Sequence, residues 1–167
     1  MLRKSHLLAA ILCLAASDLS AQSMASVELR GPKGQRRVVA ATEIAAIPHR
    51  EVTASAHHVS GLFAGVMLGD LLRLVEAPNG DSLRGPALAS YVLVEAVDGY
   101  RVIFALAELN ASITDRLILL VDRKDGAPLS DRDGPFQLIV PDEKRPARWV
   151  RQVKRISVVQ LPAAANP

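Results

Sequence analysis

The sequence predicts a mixed α+β domain built mostly from short strands. Three observations lead there. The chain divides into roughly six to eight short β-rich runs and only about three stretches with helical spacing. Clusters of Gly, Pro and Asp stand between most of these runs, as turns do. Half of the residues are hydrophobic but only 4% are aromatic, so the core must be built from Val, Leu, Ile and Ala. At 167 residues the chain can form one domain with a sizeable core. That domain is expected to run from residue 22 to 161, with residues 162–167 as a disordered tail.

The elements follow in order. Ser26–Arg30 and Arg36–Ala40 read as strands around the turn Gly31-Pro32-Lys33-Gly34. Thr42–Ala46 reads as one helical turn, capped by Thr42 and stopped at Pro48. Glu51–Ser55 alternates as a strand does. Leu68, Leu71, Leu72 and Val75 recur at helical spacing, which predicts an amphipathic helix over Leu68–Val75. Ala77–Pro86 is loop-like. Tyr91–Val97 and Arg101–Ala105 form a hairpin around Asp98-Gly99, and Leu106–Leu109 is a short helix. Strands are expected at Arg116–Asp122, Phe136–Val140 and Ile156–Gln160.

The first 21 residues have the marks of a secretory signal. Arg3 and Lys4 precede the apolar run Leu7–Ala16, and small residues follow at Leu19-Ser20-Ala21, with Ser23-Met24-Ala25 as a second cleavage option. The alternative is a short N-terminal helix of the fold. The signal reading places the protein in the periplasm or outside the cell. Cleavage would remove Cys13, the only cysteine, and leave no thiol for a disulfide or a thiolate metal site. It would also remove Arg3, Lys4 and Asp18, taking basic residues from 20 to 18 and acidic ones from 17 to 16, for a net charge of +2. Such a balance excludes a nucleic-acid binder acting through bulk charge, and the aromatics are too few for a single-strand stacking platform.

The local chemistry is more informative. Lys144, Arg145, Arg148, Arg151, Lys154 and Arg155 cluster near the C-terminal end, which suits an anionic partner or a solvated basic face. The planar guanidinium fork suits phosphate oxygens. His57-His58 is either a ligand-contacting pair in a loop or two solvated side chains. Tyr100 follows the tight turn, and its hydroxyl needs a partner if buried. Trp149 reads as a core anchor rather than a stacking platform. There is no nucleotide-type Gly-rich loop, serine nucleophile elbow or metalloprotease motif. No residue set has the spacing of a zinc site, and no catalytic residue is assigned.

Five segments occur in a telling order: Gly65-Val66-Met67-Leu68-Gly69-Asp70-Leu71-Leu72, Asp98-Gly99-Tyr100-Arg101, Asp125-Gly126-Ala127-Pro128-Leu129, Gly134-Pro135 through Pro141, and Arg148-Trp149-Val150 with Ile156-Ser157-Val158. Each is common alone. In this order the chain resembles the molybdopterin-binding domain of the sulfite-oxidase family, over nearly all of its length after the signal. The resemblance implies that family's fold, a molybdopterin-type cofactor and oxygen-atom transfer at molybdenum. It also implies a pocket lined by His57, His58, Tyr100, Arg145 and Arg148. Active members hold the metal through a Cys ahead of the Gly-Val-x-Leu helix. Here that region reads Val52-Thr53-Ala54-Ser55-Ala56-His57-His58, with hydroxyls at Thr53 and Ser55 and no thiol. The expected function is therefore an exported molybdopterin-domain protein whose redox activity is open. The alternative is a non-catalytic binding or protein-interaction module on the same fold. Its partner would be a small anion, molybdopterin itself, or a periplasmic or membrane redox or sensor protein. A third reading is an enzyme using His57 or His58 with another metal.

Overall fold

Alternation of side chains along the strands sorts this chain into two five-stranded sheets that share one core. The computed structural model describes residues 25–56 and 58–161. The proposed signal, the 162–167 tail and His57 lie outside the described residues. In the first sheet, strands β1 (Ser26–Arg30), β2 (Arg36–Ala40), β5 (Ser90–Ala96), β6 (Arg101–Ala105) and β10 (Val153–Gln160) stand in the order β2-β1-β10-β5-β6. Only the β1–β10 pair is parallel. In the second, β3 (His49–Ala56), β4 (Val59–Met67) and β7 (Leu119–Lys124) are antiparallel neighbours. The far edge of β7 is shared by β8 (Ala127–Pro128) and β9 (Gln137–Ile139).

The sequence pattern explains this layering. Along β5 Ser90, Val92, Val94 and Ala96 point inward, and on β6 Val102 and Phe104 do. They meet Val66, Leu119, Leu120 and Leu138 of the other sheet in a single cluster. Two five-residue helices, α1 (Ala41–Ala45) and α2 (Leu68–Leu72), complete the regular structure with several 3-10 turns. The result is the mixed, strand-rich α+β domain that the sequence predicts. No helix among the described residues is long and apolar enough to cross a membrane.

Several boundaries differ for physical reasons. Thr42 does not cap α1. The cap position is Ala40, and its N–H donates to the Glu43 carboxylate at 3.3 Å. The expected helix over Leu68–Val75 is α-helical only to Leu72, tightens to 3-10 over Arg73–Val75, and stops at Glu76 with φ 56°. The strand expected from Arg116 begins at Leu119, because Asn110 and Thr114 tie the preceding segment into turns. The nine-residue strand β4 has no counterpart among the predicted elements. It contains two glycines, Gly61 and Gly65, which depress strand propensity. Gly65 is required there: a Cβ would collide with the backbone of Leu120 and Val121 on β7.

Candidate functional site

A cleft of about 500 Å³ opens where the two sheets' turns converge. Three structural units form it. The β3–β4 turn contributes His58, β4 contributes Ser60 and Phe63, and β7 contributes Lys124. The β5–β6 turn contributes Asp98 and Tyr100. Strand β9 brings Gln137, and the segments flanking it bring Arg132, Asp133, Trp149 and Arg151.

Local chemistry fixes each unit. Asp125 and Gly126 adopt positive φ, as a tight Asp-Gly hairpin turn demands. Asp125 then accepts the Leu62 N–H at 2.8 Å and donates its own N–H to the Leu62 carbonyl at 2.7 Å. This clamps Lys124 beside β4, where its ammonium sits 5.5 Å from the Phe63 ring centre. At the β5–β6 turn the Asp98 carboxylate accepts the Tyr100 N–H at 2.9 Å. The Tyr100 hydroxyl, on a half-exposed ring, donates to the Ala147 carbonyl at 2.6 Å. Trp149 is 5% exposed, donates Nε1–H to the Val140 carbonyl at 3.0 Å, and meets Phe63 edge-on at 5.6 Å. It is the core anchor the sequence suggests, and it also forms part of the cleft floor.

The electrostatics of the cleft lean positive. Lys124, Arg132 and Arg151 face Asp98 and Asp133. Arg151 reaches Asp133 only at 3.9 Å, and Asp133 is held mainly by the Ser130 hydroxyl at 3.1 Å. Arg132 makes no ion pair among the described residues. Gln137 is the most telling wall residue. It is 7% exposed, yet its carboxamide has no hydrogen-bond partner among the described residues. Its amide atoms open onto the cleft, where solvent or a ligand can meet them.

The predicted site residues divide. His58 and Tyr100 line the cleft. Arg145 and Arg148 do not. Arg148 stacks on Phe104 with its guanidinium carbon 4.3 Å from the ring centre, and binds Glu143 through Nε at 2.7 Å. It also reaches the Ile103 carbonyl at 3.3 Å. Glu143 is shared with Arg116, which also engages Glu108 and Asp142. Burial pulls the Arg116 guanidinium down, but Asp142, Glu108 and Glu143 outweigh it and hold it above its ordinary value. The basic cluster of the sequence is thereby dispersed. Arg155 turns to Glu28 and Glu95 on the first sheet, and only Arg151 reaches the cleft. Sequence reading missed Lys124, Arg132 and Gln137. A readable signal existed for Gln137, a lone polar side chain within the apolar run Phe136–Val140. Thr53 and Ser55 are exposed on β3 and contribute nothing to the cleft wall.

The chain is thus a strand-rich α+β domain with an aromatic-floored, basic cleft at the turns of its sheets. No protein-family model matches it, and no curated protein matches it. Among solved structures it is similar to the sulfane dehydrogenase SoxCD from Paracoccus pantotrophus, with 14% identity and a TM-score of 0.64. The likeness covers 86% of this chain and 40% of that one, and at this identity it is a likeness of fold.

Proposed function

We propose that this domain is an exported binding module that holds an anionic small molecule of the molybdopterin type in the cleft. The supporting observation is Gln137. Its carboxamide, open to the cleft and unbonded within the described residues, offers a donor and an acceptor to a ligand edge carrying the complementary pair, as a pterin does. Lys124, Arg132 and Arg151 supply the charge for a phosphate. A volume of about 500 Å³ is in the range of small-molecule sites.

The donor set fits the anionic, hydrogen-bonding part of such a ligand. It does not fit molybdenum held through a thiolate. Cys13 is the only cysteine, and it falls within the proposed signal. Among the described residues, no group of three or more His, Cys, Asp or Glu could hold a metal ion. The chemistry these residues support is therefore recognition: orientation by Gln137, charge neutralisation by the basic side chains, and an apolar floor from Phe63 and Trp149. The sulfur chemistry in the similar structure's name belongs to that protein, of which this chain matches only part.

The test is pterin and molybdenum content of the mature protein, purified from the periplasm of a cofactor-competent host. The expected result is fluorescent oxidised pterin at near-stoichiometric level with far less molybdenum, and a drop of about tenfold in pterin affinity for Gln137→Leu, the scale of one hydrogen bond to a charged or strongly polar group. A well-folded sample with neither pterin nor thermal stabilisation by added pterin phosphate would overturn the reading.

A further inference from the structure

A second concavity of about 350 Å³ shares no wall residue with the first. Its floor is apolar, formed by Met67 and Leu72 at one side and Leu106 and Leu109 at the other. The wall is close-packed, because α2 and the 3-10 turn Leu106–Leu109 approach through backbone: a Cβ on Gly69 would stand 2.6 Å from the Leu109 carbonyl oxygen. The polar groups of the rim are mostly consumed internally. Asn110, 7% exposed, donates to the Gly80 carbonyl at 3.3 Å and accepts from Ser112 N–H and Oγ at 3.1 and 2.9 Å. Asn79 donates to the Ala77 carbonyl at 3.1 Å.

Two arginines remain. Arg50, on the exposed edge strand β3, makes no ion pair or hydrogen bond through its side chain among the described residues. Arg73 has only a 3.6 Å contact to Asp70, with both side chains about half exposed or more. Against one carboxylate, two guanidiniums leave the mouth of an apolar groove positive. We propose that this second groove binds an amphipathic monocarboxylate, a short fatty acid or aryl carboxylate. Its apolar body would lie on Leu72, Leu106 and Leu109, and its carboxylate would sit between Arg50 and Arg73. A guanidinium pairs a carboxylate through two parallel N–H groups, and the apolar floor selects against small inorganic anions.

The experiment titrates octanoate into the mature protein and follows backbone amide signals, with 1-octanol as the uncharged comparison. Octanoate is expected to move the Gly69, Gly80 and Ser112 amides saturably. The Arg50→Ala, Arg73→Ala double variant should bind it about tenfold more weakly while retaining the dispersed spectrum of a folded chain, since one good charge-assisted contact is worth that factor. Octanol affinity should be the same for both proteins. The Arg50→Lys, Arg73→Lys variant keeps the charge without the fork and should fall between them. Undiminished octanoate binding by either double variant, no saturable shift in the native protein, or shifts confined to Trp149 and its neighbours in the first cleft would each overturn the proposal. Because the two sites share no residue, this outcome is independent of pterin binding.

Discussion

Gln137 carries two opposed roles that a single substitution separates. Its side chain is largely buried in an apolar strand, and its carboxamide has no partner among the described residues but opens onto the cleft and its water. Gln137→Leu exchanges this amide for apolar surface within an apolar strand and should stabilise the ligand-free protein by no more than about 1 kcal/mol, as read from urea unfolding. The same change should weaken the ligand. Stabilisation with unchanged ligand affinity would separate Gln137 from the site. At Trp149 the two roles coincide, since the ring is both core and floor. Trp149→Ala should cost about 3–5 kcal/mol, the range for emptying a buried aromatic position. Tryptophan and tyrosine were legible in the sequence because each has a polar handle with a strong positional preference. Arg148 was not, because its fate depends on Phe104 and Glu143, which reach it only through the fold.

Strand pairs decide where the site residues stand. β4 and β7 pack so closely that Gly65 has no room for a side chain. Gly65→Ala should lower stability by about 1–3 kcal/mol, the range for overpacking, with a larger effect if the β4–β7 register slips. Gly134→Ala meets only Leu129 and Ser130 at 3.0 Å or beyond and should cost less. On the opposite wall, the Tyr100 hydroxyl ties the β5–β6 turn to Ala147. Tyr100→Phe should cost about 1 kcal/mol and speed amide exchange of residues 145–148, which hydrogen exchange would detect. Unchanged exchange there would show that the Arg116–Glu143–Arg148 cluster alone holds the wall. The strands β1, β2, β5 and β6 could be read to within a residue because each is bounded on one side by a Gly-, Pro- or Asp-containing turn, and β1, β5 and β6 also alternate cleanly. β4 could not, since its glycines and its run into α2 mask the period. Nor could the 3-10 endings, which are set by tertiary contacts rather than by spacing.

Over the whole molecule, a charge network centred on Glu28 joins four neighbouring strands. It accepts from Arg30 at 2.9 Å on its own strand, from Arg36 of β2 at 2.8 Å, and from Arg155 of β10 at 2.7 Å. Arg155 in turn reaches Glu95 of β5 at 3.4 Å. Arg30 first, then Arg155 and Arg36, push the Glu28 carboxyl from near 4.5 down to about 2. A depressed carboxyl stabilises the fold above its unfolded value, and that contribution is lost as pH falls through the folded one. Stability should thus decline between pH 4.5 and about 2, and Glu28→Gln should flatten that limb. At pH 7 the variant should lose about 1 kcal/mol, since the network is partly exposed to water. An acid limb of equal steepness in the variant would place the titration elsewhere. The order of strands in that sheet was not legible, because local patterns do not say which distant strand will lie alongside. That order has a consequence for how the chain is made. β10 lies between β1 and β5, so the hairpins β1–β2 and β5–β6 have no common neighbour until residues 153–160 have been synthesised. A nascent chain lacking that last strand holds two separate ribbons with open flanks, and the sheet closes only when nearly all of the domain has left the ribosome.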